Sequence, residues 1–122
     1  MKPDTALSLR PYFEVHEGKM DDMLELQHKI MDRVTNEENM LYYGFSQQRD
    51  GNEFLAREGY TDGNALLHHL DNVGDCLEQL LSLSTITRCE CHGPAAELDK
   101  VRGALEGMGC TFWETDNKGE RR

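Results

Sequence analysis

Three side chains able to move protons lie close together in the chain: Glu58, Tyr60 and His69, with Cys76 seven residues beyond the histidine. They straddle a short turn, Thr61-Asp62-Gly63, between a strand-like run (residues 54–60, FLAREGY) and a helix-like run (residues 63–82). Alternation along a strand puts Glu58 and Tyr60 on the face shared by Phe54 and Ala56, the face that lies under the helices. On the helix, with Leu66 taken as zero, His69 falls about 60° from the centre of the apolar stripe and His68 about 160°. His69 is thus expected at the edge of a helix–sheet cavity and His68 in solvent, with Cys76 on the same flank as His69.

A carboxylate beneath helices is costly unless it is paired or hydrogen-bonded. Glu58 and His69 are therefore read together, and two roles stay open. One is an acid–base couple that deprotonates a phenol or enol, so that its carbanion can reduce oxygen, or that shifts a proton within a molecule. The other is a buried polar bridge that fixes the helix on the sheet, His69 merely satisfying a hydrogen bond. In the first role His69, Glu58 and Tyr60 are the catalytic set, while Tyr43, Phe45, Phe13 and Cys76 line the substrate, the rings offering flat faces.

Cys89-Glu90-Cys91-His92 contains ligands that zinc prefers. Their spacing argues against a metal centre, because alternation puts Cys89 and Cys91 on one strand face and His92 on the other. The four cysteines are expected as reduced thiols, and neither a metal nor a cofactor is expected.

The chain of 122 residues is of one-domain length, with residues 1–115 as the domain, 7–92 as its core, 93–115 as an extension and 116–122 as a flexible tail. Its 13 Lys+Arg against 23 Asp+Glu leave a net charge of −10, which repels phosphate backbones and anionic membranes. No nucleic acid or membrane partner is expected. With no secretory-type segment near Met1 and no apolar run long enough to cross a bilayer, a soluble cytoplasmic protein is the expectation.

The elements that must position these residues follow from periodicity. Residues 7–15 alternate, with Leu9, Pro11, Phe13 and Val15 on one face, and form a strand; Pro11 removes a ladder donor and suggests an edge or a bulge. Met20, Met23, Leu24, Gln27, Ile30, Met31 and Val34 mark a helix over residues 19–35. Residues 40–48 and 54–60 make a hairpin around Asp50-Gly51. A second helix over residues 62–82 carries Leu66, Leu70, Val73, Leu77 and Leu80 and can kink at Gly74. A strand (85–92), a third helix (94–106) and a strand-like segment (110–114) complete the chain. The order is the split βαβ pattern, with both main helices on one face of a four-stranded antiparallel sheet. The other sheet face carries Arg10, Tyr12, Glu14, Leu55 and Arg57 and suits burial against a second copy.

The runs PYFEVHEGKMDDMLELQ, NMLYYGF and FLAREGYTDGNALLHHLDN resemble the antibiotic-biosynthesis-monooxygenase-like family of dimeric α+β barrels. The similarity covers residues 7–83: Gly-Lys opening the first helix, an aromatic second strand, and Glu58-Gly59-Tyr60 leading into the second helix. It implies an α+β, ferredoxin-like βαββαβ protomer with an added C-terminal helix and short strand, paired as a homodimer, with a cavity between sheet and helices in each copy. It further implies a small aromatic or quinone-like ligand and, in one branch, cofactor-independent monooxygenation. A haem-degrading branch carries an asparagine where Pro11 stands, a tryptophan near Tyr60 and a histidine near Glu78 or Gln79; this chain matches none of the three. The alternative is a non-catalytic ligand-binding or dimerisation module on the same fold.

Overall fold

The computed structural model describes residues 5–116. β1 (Leu7–Val15), α1 (Met20–Val34), β2 (Met40–Gln47), β3 (Glu53–Tyr60), α2 (Gly63–Asn72), α3 (Gly74–Leu83), β4 (Ser84–Gly93), α4 (Ala95–Leu105) and β5 (Thr111–Glu114) follow in that order. The sheet runs β2-β3-β1-β4-β5. Its first four strands pair antiparallel, and β5 adds to β4 in parallel. The protein is thus an α+β fold with a five-stranded mixed sheet, one strand wider than the antiparallel core.

Local sequence accounts for most element ends. α1 has Asp21 and Asp22 in its first turn and Arg33 in its last, both complementary to the helix dipole. Its inward stripe, Met23, Leu26, Ile30 and Val34, is buried. α2 opens on Asp62, whose side chain accepts a hydrogen bond from the Ala65 amide at 2.9 Å, as an N-cap does. Gly63 beside it is required by contact: a Cβ there would lie 2.9 Å from the Glu97 carbonyl oxygen. The Glu97 side chain in turn accepts from the Gly63 amide at 2.8 Å, docking α4 on the start of α2.

One sequence expectation is revised and another is narrowed. The second helix is two helices, because Val73 leaves the helical region (φ −111, ψ 13) before Gly74 starts α3. Both neighbours favour the break, since valine is stiff at χ1 and glycine gains little from helix. Of the edge or bulge expected at Pro11, the strand order excludes the edge, since β1 is the central strand. The proline's missing donor is accommodated where the β1–β3 pairing lapses between Leu9 and Tyr12, beside a β4 irregularity opposite Tyr12 and Phe13.

Alternation holds through β1, with Leu7, Leu9, Pro11, Phe13 and Val15 buried against the helices. Two apolar clusters fill that side. Leu9, Tyr60, Leu66, Leu98 and Val101 pack under α2 and α4; Phe13, Phe54, Met23, Ile30 and Cys76 pack under α1 and α3. His69 stands between them. No helix among the described residues is long and apolar enough to cross a membrane.

Candidate functional site

β3 delivers two polar groups into the apolar layer. Glu58 is 4 % and Tyr60 0 % exposed, on the face that strand alternation assigns to the core. The Tyr60 hydroxyl donates to Glu58 Oε1 at 2.5 Å. α2 lowers His69, 3 % exposed, onto the same spot, and its Nε2 stands 3.6 Å from Glu58 Oε1. Its other nitrogen, Nδ1, bonds Glu37 Oε2 at 2.9 Å. Glu37 comes from the turn between α1 and β2, and Asn72 Nδ2 donates to the same oxygen at 3.1 Å.

Aromatic rings wall the imidazole. Tyr43 lies 5.0 Å and Tyr60 5.6 Å from it between ring centroids, and Tyr43 meets Phe45 edge to face at 5.6 Å. Phe13 stacks on Phe54 at 4.8 Å behind them.

Removal from water dominates the electrostatics. Burial lifts the Glu58 carboxyl from 4.5 to about 8, with the Tyr60 hydrogen bond opposing and Glu37 adding to the rise. Burial also lowers the His69 imidazole, although its hydrogen bond to Glu37 works the other way. Tyr43 and Tyr60 are both raised, first by burial and then by Glu58. The contact between Glu58 and His69 is therefore that of a neutral acid beside a neutral imidazole at pH 7, not an ion pair. A carboxylic acid and a free base held within one apolar pocket are the elements of general acid–base chemistry.

Phe13, Tyr43, Phe45, Glu58 and His69 all line one cavity between sheet and helices. It holds about 30 Å³ of free space, the room of about one water. Tyr60 supports Glu58 from outside its lining. Cys76 is not part of it: after the break at Val73 the thiol is fully buried in the cluster under α1. His68 is exposed and lines an open cleft of about 450 Å³ at the 36–40 turn, which Glu37 also lines. Sequence reasoning missed Glu37 and Asn72. Asn72 lay on a legible helix, but nothing local marks Glu37 among the polar residues of its turn.

Cys89 and Cys91 face the core while His92 lies on the opposite face, 2.9 Å from Glu90 and stacked on Trp113. Among the described residues no group of three or more metal-ligating side chains converges.

No family model and no curated protein matches the chain. Among solved structures, MupZ from Pseudomonas fluorescens is 34% identical, with a TM-score of 0.84, over 93% of this chain and 92% of that one. SnoaB from Streptomyces nogalater, a cofactor-independent oxygenase, shares the fold at 16% identity and a TM-score of 0.63, over 72% of this chain and 91% of its own. A protein described as an antibiotic biosynthesis monooxygenase does so at 15% and 0.62, over 70% and 92%. The relationship to MupZ is one of sequence over nearly the whole length, so the chain belongs to the same family as MupZ, and it shares the α+β fold of the antibiotic biosynthesis monooxygenase-like structures.

Proposed function

We propose that the protein is an acid–base catalyst for a small, largely apolar molecule, aromatic or quinone-like, that carries a hydroxyl or carbonyl oxygen. The observation that carries this reading is the juxtaposition of buried Glu58 with His69 Nε2 at 3.6 Å. Nε2 takes a proton from a phenol or enol, and the Tyr43 and Phe45 rings flank the resulting anion. In the cofactor-independent monooxygenase form of the reaction, that carbanion passes electrons to dioxygen and its carbon is oxidised. Catalysis would then use no metal, flavin or haem.

A second reading has its own support. Oxygenation needs a base, whereas Glu58 adds an acid that is neutral up to about pH 8. An acid and a base on one substrate suit a redox-neutral proton shift, as in an isomerase, because the proton taken by His69 and the one given by Glu58 balance.

The cavity is far below the roughly 300 Å³ of ordinary ligand pockets. Substrate entry therefore requires movement of half-buried lining side chains such as Leu77 and Met108. We place the working form as a homodimer joined through the open sheet face. That face displays Tyr12 under Arg88 and Tyr42 under Arg57, and Trp113 is 51 % exposed.

Oxygen consumption with a panel of hydroquinones and anthrones separates the readings. Uptake abolished by His69→Ala supports the oxygenase. Deuterium exchange into a turned-over ligand without oxygen uptake supports the proton shift. A ligand that binds unchanged, with neither result, leaves the non-catalytic binding module.

A further inference from the structure

Glu37 holds the imidazole from the side opposite Glu58. Its Oε2 accepts from His69 Nδ1 at 2.9 Å and from Asn72 Nδ2 at 3.1 Å, and its side chain is 3 % exposed. The residue also lines the solvent cleft at the 36–40 turn, with its side chain turned inward to His69. The Asn72 side chain is itself tied down: its Nδ2 donates also to the Arg33 carbonyl at 3.3 Å, and Arg33 Nη1 returns a bond to the Asn72 carbonyl at 3.2 Å. Arg33 is paired on its far side with Asp75. Three elements, α1, α2 and α3, thus converge on the position of one carboxylate.

We propose that Glu37 is the positioning residue of the site, holding His69 as the Nδ1–H tautomer. The proposal rests on the acid–base reading of Glu58 and His69. A carboxylate has only acceptors to offer, so the ring nitrogen facing it carries the hydrogen. Nε2 of the neutral ring is then the lone pair, and it is the nitrogen turned to Glu58 and the cavity. Without Glu37 the ring is free to put its hydrogen on Nε2, which blocks the base function from the cavity side. When Nε2 takes a proton from substrate, the Glu37 carboxylate bonded to Nδ1 stabilises the imidazolium that forms.

The charged and titratable neighbours of the imidazole are Glu37 from the turn, Glu58 and Tyr60 from β3, Tyr43 from β2 and His68 on its own helix. Glu37 alone among them hydrogen-bonds Nδ1, so substitutions there should act on the tautomer and not only on the local potential.

The test is nitrogen-15 NMR of the imidazole in the full chain, compared with Glu37→Gln and Glu37→Leu. The parent should show Nδ1 protonated and Nε2 bare near pH 8. Glu37→Gln keeps an acceptor oxygen and should keep the tautomer, with His69 titrating at lower pH because the negative charge is gone. Glu37→Leu should populate the Nε2–H form. An Nδ1–H tautomer that persists in Glu37→Leu with an unchanged titration overturns the proposal. If that variant does not fold, an unchanged His69 titration in Glu37→Gln overturns it alone.

Turnover is read separately. On a responsive substrate Glu37→Gln should lower kcat on the order of tenfold or more with little change in KM, since it acts through His69 and not on the ligand. A tautomer response with no turnover of any substrate leaves the positioning intact and removes the catalytic reading; turnover that ignores both variants does the reverse.

Discussion

Glu58 Oε1 lies 3.6 Å from His69 Nε2, and burial drives both groups towards neutrality in opposite directions along the pH scale. The consequence for stability is measurable. Between 4.5 and about 8 the folded chain holds a Glu58 proton that the unfolded chain has lost. Unfolding therefore becomes easier as pH rises through that window, and the effect levels off above about 8. His69 acts at the acid end: its lowered folded value means that stability falls as pH drops below 6.5. Glu58→Gln, which mimics the neutral acid, should remove the first dependence and leave the second. Urea unfolding of parent and variant from pH 5 to 9 checks this; a stability difference that does not grow in the variant's favour towards pH 8 would sink the protonated-acid assignment.

Removing either partner should be costly for turnover. On a substrate that the parent converts, His69→Ala and Glu58→Gln should each lower kcat by about 10²-fold or more, the usual span for a general acid or base. Circular dichroism of both variants separates a lost fold from lost chemistry. Equal rates for parent and His69→Ala would leave the pair as a structural bridge.

Tyr60 offers a finer control. Its hydroxyl hydrogen bond lowers the Glu58 pKa, so Tyr60→Phe should push that carboxyl above about 8. If Glu58 is the acid, the alkaline limb of the kcat/KM profile moves upward in Tyr60→Phe. An alkaline limb that stays in place assigns it to another group.

The parts of this site differ in how far the sequence reveals them. Glu58 and Tyr60 were legible because a strand has a period of two, and one apolar neighbour fixes the face of all the rest. His69 was legible from the 100° step of the helix, which also sent His68 to solvent. Glu37 was not, because its partner is 32 residues away in sequence and a glutamate in a polar turn has no local mark of burial. Cys76 was misplaced for a different reason. The angular argument assumes an unbroken helix, and the turn at Val73 interrupts the count between residues 69 and 76. Pro11 was legible as a pair of alternatives: loss of a ladder donor predicts an edge or a bulge, and a local irregularity in pairing lets proline sit in the central strand.

The open sheet face gives a prediction about assembly. Light scattering should return about twice the 14.0 kDa chain mass. Leu55 is half-buried on that face, and Leu55→Asp should shift the population towards the monomer by placing an unpaired charge in the contact. A parent protein that scatters as a single chain at micromolar concentration removes the dimer.

The break between α2 and α3 can be tested by making it less flexible. Gly74 is exposed, has a negative φ, and a Cβ there would meet nothing within 4 Å. Gly74→Ala should therefore raise stability by about 0.4–1 kcal/mol through the unfolded chain alone. The break itself should persist, because it is centred on Val73 and is braced by the Asn72 side chain bonded to Arg33 and Glu37. Hydrogen exchange at Val73 and Leu77 distinguishes the two effects: these amides are bonded at 3.0 and 2.9 Å to His69 and Val73 carbonyls, and their protection should rise no more than global stability does. A larger local rise would mean that alanine has fused the two helices. In that case the angular phase of α3 shifts relative to His69, and the half-buried Leu77 that lines the cavity moves with it.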